Sequence, residues 1–284
     1  MEEDIKSFLD YLASERKYSP NTLAAYHSDL LQLASHIKPE TSGGDIGAGK
    51  LDIEILSSYM HSLQERKYAL STVARKVAAA KSFLKYMVQK GKWKGDQKPD
   101  LASPQVNRPT RELLSVSEIR RFLAEPAKIS TTEAKRDKAM LELLYATGLR
   151  ASELMALNVD DIDLKKNNVR CRGRGSRVRT VPIDQHIAKI VREYLLEVRP
   201  KLLNNEIEVA VFLNRRGERL TRQGFWQIIQ GYAEKADLGS RVTPRSLRHS
   251  FAAHKLQSGA DLQSVQELLG HAHIATTKAY EKAI

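Results

Sequence analysis

The chain contains a single cysteine, Cys171, among its 284 residues. A disulfide framework and a zinc site built from several cysteines are therefore excluded. Long apolar runs are also missing, since no stretch approaches the about 18 uninterrupted apolar residues of a membrane-spanning helix. The first residues, Met1-Glu2-Glu3-Asp4, are acidic where a secretory signal peptide would be basic. We expect a cytoplasmic protein that does not associate with a membrane.

Acidic residues are in the minority, 34 against 46 Lys and Arg, which leaves a formal net charge of +12. The imbalance is local: neither the stretch from Arg66 to Lys94 nor that from Lys165 to Arg179 contains an acidic residue. Segregated positive charge suits a polyanionic partner, and nucleic acid is the commonest one. On charge alone, a solvated basic face without a partner remains the alternative.

The chain length, together with a proline-rich stretch and helix-capping signals, predicts two domains. Residues 1–98 show helical periodicity, and Ser19-Pro20 has the residue types of a helix N-cap and first helical position. Three prolines mark 99–111 as an interdomain linker. Ser115 and Glu118 have the spacing of a capping box, so the second domain is expected over 112–284.

The second domain is predicted to be mostly helical, with one exception. Two short β-prone runs, 168–171 and 178–183, flank a turn rich in glycine and arginine. This pattern predicts a β-hairpin. A turn with several arginines is unusual for a hairpin that only supports a core.

Three other motifs resemble sites of different kinds. Gly44–Lys50 follows part of a phosphate-loop pattern, but Leu51 stands where a magnesium-binding Ser or Thr belongs, so a connector is favoured. Asp160, Asp161 and Asp163 are interpreted as solvated turn residues. His271 and His273 lack visible further metal ligands. We expect neither a metal site nor a cofactor.

Four segments together indicate phosphodiester chemistry. They are Ala146–Leu154, Gly173–Arg179, Thr243–Phe251 and Leu268–Tyr280. Breaking a DNA backbone without metal needs permanently charged, planar groups on the phosphate oxygens, and arginine binds such oxygens in a bidentate way.

Each residue type in these segments suits one task. Arg150 and Arg248 could clamp the phosphate, Tyr280 could attack it, and His271 could donate to an oxygen or manage a proton. The departing 5′-oxygen needs an acid, ideally a lysine. Taken alone, Arg150 could instead favour a helix C-terminal dipole, and Tyr280 could be an amphipathic residue of the last helix.

With these segments the chain resembles the tyrosine recombinases of the Xer/phage-integrase kind. The similarity runs over nearly the whole sequence. It is carried by four stretches, which are Ser19–Tyr26, Asp137–Arg150, Leu220–Trp226 and Gly259–His271. The resemblance implies a mainly α fold with a small β-hairpin or sheet in the second domain. An N-terminal helical core-binding bundle would precede an α+β tyrosine-recombinase catalytic domain.

The resemblance also implies an activity. Two domains would clamp duplex DNA, and four protomers would assemble on two recombination sites. A tyrosine attacks the phosphate, giving a 3′-phosphotyrosyl link and a free 5′-hydroxyl, and neither metal nor ATP is needed. By position, Arg150 and Arg248 match the family arginines, His271 its second histidine, and Tyr280 its nucleophile.

Two positions depart from the family pattern. Arg174 occupies the place of the hairpin lysine that is the family's proposed general acid, and arginine releases a proton reluctantly. Arg245 occupies the place of the first family histidine and can bind phosphate but cannot act as a base. Both remain candidate catalytic residues.

Further DNA contacts are expected from basic and amide side chains outside the catalytic set. They are Arg75, Lys76, Lys81, Lys85, Arg172, Arg177, Arg179, Arg222 and Gln223. The expected partner is a double-stranded recombination site, bound by a homo-tetramer that is a monomer or weak dimer without DNA. A second recombinase could take part. A cleavage-impaired DNA-binding relative and a type IB topoisomerase are the alternative functions.

Overall fold

The structure is a computed structural model that describes residues 1–37, 53–92, 113–173 and 178–281. The chain divides into two compact units, Met1–Pro109 and Thr110–Ile284. Within the described ranges, no helix combines the length and apolarity needed to cross a bilayer.

The N-terminal unit contains four described helices. They are α1 (Glu2–Ser14), α2 (Pro20–Ile37), α3 (Ile53–Glu65) and α4 (Leu70–Gln89). The predicted cap of α2 is confirmed, because the Ser19 hydroxyl accepts a hydrogen bond from the Thr22 backbone N–H at 3.3 Å. Apolar side chains at helical spacing, such as Ile5, Phe8 and Leu12, form the core. The Gly44–Lys50 motif lies outside the described residues.

Nine described α-helices belong to the second unit. They are α5 (Val116–Ala124), α6 (Thr132–Thr147), α7 (Ala151–Ala156), α8 (Gln185–Glu193), α9 (Arg199–Leu202), α10 (Arg222–Lys235), α11 (Pro244–Gln257), α12 (Leu262–Leu269) and α13 (Ile274–Glu281). The predicted capping box is present: Ser115 and Glu118 each accept the other's backbone N–H at the start of α5. A π-helical turn, Tyr194–Val198, joins α8 to α9.

The predicted hairpin is part of a three-stranded antiparallel sheet. Its strands are β1 (Ile162–Asp163), β2 (Asn168–Arg172) and β3 (Val178–Pro182), in the order β1-β2-β3. In the β2–β3 ladder, Cys171 lies opposite Arg179 and Arg172 lies opposite Val178. Because side chains alternate across a strand, Cys171 and Arg179 face the interior, while Arg172 and Val178 are exposed.

The interpretation of the acidic turn as solvated was wrong for Asp161. Its side chain is only 4% exposed, and it accepts hydrogen bonds from the Asn158 backbone and from Arg170. Burying a carboxylate requires partners for its charge and lone pairs, which these donors supply. Asp161 therefore fastens the start of β1 to β2 and is no free metal ligand.

The last three helices enclose a small core of their own. Its buried members are Phe251, Ala252, Val265, Leu269 and Tyr280. Tyr280 is thereby packed into the unit that carries the candidate arginines. Tyr280 is only 2% exposed, so its ring also contributes to the packing of α13, as the alternative of an amphipathic residue on the last helix expects.

Candidate active site

A buried carboxylate, Glu153 on α7, holds two of the candidate arginines. Arg179 donates from both terminal nitrogens, Nη1 to Oε1 at 2.8 Å and Nη2 to Oε2 at 2.9 Å. Arg150 donates to Oε1 from Nη1 and to Oε2 from its backbone N–H, each at 2.8 Å. A third guanidinium, that of Arg248, lies 3.8 Å from Oε2. One carboxylate therefore lies next to three arginines from three segments and supplies a negative charge to all of them.

The chain turn between α6 and α7 places Arg150. Gly148 ends α6 in the left-handed conformation, with φ of 59°, and a Cβ there would lie 2.3 Å from Cδ1 of Phe251. Glycine is required on both counts. Arg150 follows as the residue before α7. Its Nη2 donates to the carbonyl of Gly270, the C-cap of α12, at 3.4 Å, so the guanidinium also meets a helix C-terminus, where a cation is favoured.

Arg248 is nearly buried and holds two loops together. Its Nη1 donates to the Gly148 carbonyl at 2.6 Å, and its Nη2 donates to the Leu269 carbonyl at 2.5 Å. The same Nη2 lies 3.2 Å from Nε2 of His271. Burial, with the nearby charge of Arg150, lowers the pKa of Arg248 to about 10. Arg248 is still protonated at neutral pH.

His271 is an uncharged ring at neutral pH. Burial, followed by the positive charges of Arg248 and Arg150, lowers the pKa of His271 to about 4. An arginine N–H can only donate, so Nε2 of His271 is the acceptor from Arg248. The ring proton then resides on Nδ1, which lies 2.9 Å from the hydroxyl oxygen of Thr277. This contact connects the arginine cluster to α13.

Tyr280 is one helical turn after Thr277 on α13. Its ring lies against His271, with centroids 6.1 Å apart and planes 19° apart, and meets the edge of His249 at 5.2 Å. Arg248 and Tyr280 also interact electrostatically. The structure therefore gathers Arg150, Arg248, His271 and Tyr280 into one cluster within a single chain.

The charges of this cluster do not balance. Arg150, Arg179 and Arg248 carry three positive charges against the single negative charge of Glu153. Burial works to raise the pKa of Glu153, but hydrogen bonds from Arg179 and from the Arg150 backbone outweigh it and hold that pKa at about 2. The excess positive charge suits an anion, and phosphate is the anion that arginine binds best.

Of three further predicted site residues, one makes no hydrogen bond or ion pair with the described residues, and two lie outside the described residues. Arg245 is exposed on the first turn of α11, one turn before the buried Arg248. Arg174 and Arg177 lie outside the described residues. Among those that are described, no group of three or more His, Cys, Asp or Glu side chains is placed to hold a metal ion.

Two arginines of the hairpin that are predicted to contact DNA lie on opposite faces of the sheet. Arg172 is exposed, with one ion-pair distance of 3.7 Å to Asp161. Arg179 faces inward, where its side chain is 14% exposed and bound to Glu153 and to the Leu268 carbonyl. The geometry fits Arg179 as a positioning residue, and the expectation that it lines the DNA strand has no support from its contacts.

The cations of the basic helix α4 also differ in exposure. Lys76 is 6% exposed, and its Nζ binds Asp29 at 2.8 Å and Gln32 at 2.5 Å, which leaves it poorly placed for a phosphate. Arg75 is more exposed and also pairs with Asp29. Lys81 is half-buried and Lys85 is exposed. On α10, Arg222 and Gln223 are both exposed at the helix start.

Sequence reasoning missed Glu153, His249 and Thr277 as parts of the cluster. A signal existed for Glu153, because a carboxylate three residues after Arg150 has the spacing of an N-terminal cap. No comparable signal marks Thr277, whose role depends on where α13 packs. His249 is buried beside Tyr280, and its position next to Arg248 was the only indication.

Two family models match the chain, one in each unit. The phage integrase family matches residues 112–283, and the phage integrase N-terminal SAM-like domain matches residues 5–91. The chain is 46% identical over 282 residues to the tyrosine recombinase XerC of Roseiflexus sp. (strain RS-1), covering 99% of this chain and 89% of the relative. It is 38% identical over 283 residues to the tyrosine recombinase XerD of Oceanobacillus iheyensis, covering 99% and 93%.

Solved structures of recombinases share the fold. XerH bound to its difH substrate matches with a TM-score of 0.73 and 23% identity, covering 91% of this chain and 76% of that one. The Tn1549 transposon integrase in complex with transposon right-end DNA matches with a TM-score of 0.77 and 16% identity, covering 98% and 94%. From the family matches and the long, highly identical relatives, this chain belongs to the phage integrase family and is a tyrosine recombinase.

Proposed function

We propose that this recombinase cleaves and rejoins duplex DNA at a specific site through a 3′-phosphotyrosyl intermediate, without a metal ion or ATP. The observation that carries the proposal is the single cluster in which Glu153 binds two arginines, Arg248 bonds to His271, and His271 stacks on Tyr280. A protein that only bound DNA would have no use for a phenol held beside a phosphate-binding group.

In the proposed reaction the Tyr280 oxygen attacks the scissile phosphorus and the bond to the 5′-oxygen breaks. The phenol loses its proton, and the departing oxygen gains one, so charge and atoms balance. Arg150 and Arg248 hold the non-bridging oxygens, where the transition state gathers negative charge. Attack by the 5′-hydroxyl of a partner duplex reverses the step and conserves the bond energy.

The cationic excess of the cluster supplies what a metal would otherwise provide. Arg150 exposes 39% of its side chain and can meet an incoming phosphate, while Arg248 is 8% exposed. Guanidinium groups fixed before the reaction stabilise developing charge without reorganisation. Because Tyr280 and Arg248 are both buried, the proposed reaction requires α13 to shift and both side chains to become accessible when DNA binds.

The proposed DNA complex uses both units. Residues 1–98 would form the core-binding half of a clamp and residues 112–284 the catalytic half, joined by 99–111. Relatives of the same fold bind DNA sites, among them XerH on difH. We propose a homo-tetramer on two sites, with Arg172, Arg222 and Gln223 among the contacts.

The exposed and buried cations of α4 are expected to contribute differently to DNA binding, and the salt dependence of the affinity can test this. The logarithm of the DNA affinity falls linearly with the logarithm of the salt concentration, and each phosphate that a cation neutralises adds about one to that slope. We expect Arg75→Ala and Lys85→Ala each to lower the slope by about one, because both side chains are exposed. Lys76→Gln will leave the slope unchanged, since Lys76 is only 6% exposed, whereas Arg75, which also pairs with Asp29, exposes 43% of its side chain. Affinity measured by titration from about 50 to 200 mM salt checks this, and a Lys76→Gln slope reduced like that of Arg75→Ala would contradict it.

Substitution of Arg174 tests how the departing 5′-oxygen is protonated. Arg174→Lys will raise the cleavage rate by about tenfold or more, because a lysine ammonium gives up a proton far more readily than a guanidinium. A substrate with sulfur in place of the leaving 5′-oxygen should erase the gain, since a thiolate leaves without protonation. Arg177→Lys is the matched control and should gain nothing. No change or a fall in Arg174→Lys would exclude Arg174 from the acid position.

Covalent trapping tests the function as a whole. A nicked duplex releases the short fragment that carries the 5′-hydroxyl, so a 3′-phosphotyrosyl adduct cannot be resealed and accumulates. We expect an adduct on duplexes selected from a random library by binding. Binding without any adduct would favour the cleavage-impaired relative, whose case rests on Arg174 and Arg245. Relaxation of plasmids that lack every selected site would favour a type IB topoisomerase.

A further inference from the structure

A large aromatic side chain on α10 is exposed. Trp226 exposes 51% of its surface, while its helix neighbours Phe225, Ile229 and Tyr232 are buried. Among the described residues, its indole N–H donates no hydrogen bond. Tryptophan is among the residues most enriched at binding interfaces, because it combines a broad apolar surface with one donor.

The neighbours of Trp226 indicate what it faces. Residues three and four apart on a helix are surface neighbours, so Trp226 shares a face with Gln223 and Arg222. Both of these are exposed, as is Gln227. From Arg219 to Ala233 the sequence contains no acidic residue. An aromatic ring set among arginine and amide donors, with no negative charge, suits a nucleic-acid surface.

The geometry points to a direct base contact: we propose that Trp226 packs against the C5-methyl group of a thymine in the major groove of the DNA target. This inference rests on the proposed function. The major groove admits an α-helix and displays the thymine methyl, which apolar side chains contact. It also displays the edges of guanine and adenine, which Arg222 and Gln223 can bind in a bidentate way.

Helix dimensions limit which base pair Trp226 can reach. One helical turn advances about 5.4 Å, whereas one base pair advances about 3.4 Å along the DNA. A recognition helix lying along the groove would therefore place the indole one or two base pairs from those read by Arg222. Trp226 would add preference for A·T pairs at that position, beyond the contacts of its polar neighbours.

Thymine-to-deoxyuridine replacement tests the contact one methyl group at a time. The chain has two tryptophans, Trp93 and Trp226, so the Trp93→Phe protein carries a single fluorescent reporter. On a duplex selected by the wild-type protein, each thymine is replaced singly. We expect one or two adjacent positions at which deoxyuridine weakens binding about fourfold, as expected for one buried methyl group. DNA should also quench the Trp226 fluorescence.

A second variant removes the indole. In Trp93→Phe/Trp226→Ala the deoxyuridine effect should vanish at those positions, while the thermal midpoint of unfolding stays unchanged because the side chain is exposed. Leu196→Ala in the Trp93→Phe background is the matched control, since Leu196 is an exposed apolar residue, 67% exposed, outside α10. That variant should keep the full deoxyuridine effect.

The outcomes separate this inference from the function on which it rests. Site-specific binding without a Trp226-dependent deoxyuridine effect overturns the thymine contact and leaves the recombinase proposal standing. Normal binding to one site with defective pairing of two sites in Trp226→Ala would assign the residue to a protein interface and overturn the inference. Failure of the wild-type protein to select any site would overturn both.

Discussion

Replacing Tyr280 by phenylalanine will abolish the covalent protein–DNA adduct and leave site-specific affinity within about twofold. The change removes a single oxygen, which is the proposed nucleophile, so the chemical step is lost outright. The phenyl ring can keep the positions that Tyr280 occupies against His271 and His249. Removing the hydroxyl of a side chain that is 2% exposed costs about 1 kcal/mol of stability, which a folded domain tolerates.

The experiment compares adducts on the nicked duplex after denaturing electrophoresis, with affinity measured on the same duplex. Tyr145→Phe is the matched control. Tyr145 packs edge-on against Phe251 of the same small core, and its hydroxyl bonds to Nδ1 of His254 at 2.7 Å. It should retain the adduct. An adduct that persists in Tyr280→Phe would identify another nucleophile.

Local sequence signals predicted most of the helices and their starts. Ser19 and Ser115 are caps in the structure as their spacing indicates, because capping depends on residues within one turn. The short helix α7 and the edge strand β1 were not predicted. Both are too short to show a period. Glu153 and Asp161 each accept a backbone N–H from three residues earlier, but their charges are also held by arginines from β3 and β2, which sequence spacing does not reveal.

Sequence reasoning could not tell which arginines and lysines are exposed and which are buried against an anion of the same chain. Arg172 and Arg179 look alike in the sequence, yet the strand register places one on the surface and the other against Glu153. Lys76 is similar, since its partner Asp29 lies 47 residues away. A buried cation is stable only beside a specific anion, and such pairs are formed by tertiary packing.

Of the proposed substitutions, Glu153→Gln will lower the free energy of unfolding most, and it will also lower the cleavage rate severely. Three guanidiniums lose the counter-charge that they share, and Arg179 and Arg248 are too buried for water to replace it. The pKa of Glu153 is about 2 against a usual 4.5, so the interactions of the charged carboxylate contribute about 3 kcal/mol at neutral pH. Misplacing Arg150 by about 1 Å can lower the cleavage rate about a hundredfold.

The stability difference between wild type and Glu153→Gln should depend on pH. A carboxylate with a lowered pKa stabilises the fold fully above its unfolded pKa. That contribution is lost as the pH falls through the pKa of the carboxylate in the folded protein. The difference in unfolding free energy should therefore be constant above about pH 4.5 and shrink towards pH 2. Urea unfolding at several pH values measures it.

Glu118→Gln separates the active-site role of Glu153 from the effect of any strongly acidic carboxylate. Hydrogen bonds from the Ser115 backbone and from Arg241 also lower the pKa of Glu118 to about 2. That side chain is 23% exposed in the α5 capping box, so its loss should cost about 1 kcal/mol and leave cleavage unchanged. If Glu153→Gln were no more damaging than Glu118→Gln in stability and in cleavage rate, Glu153 would not be the anchor of the arginine cluster. Arg150 and Arg248 would then need another source of alignment.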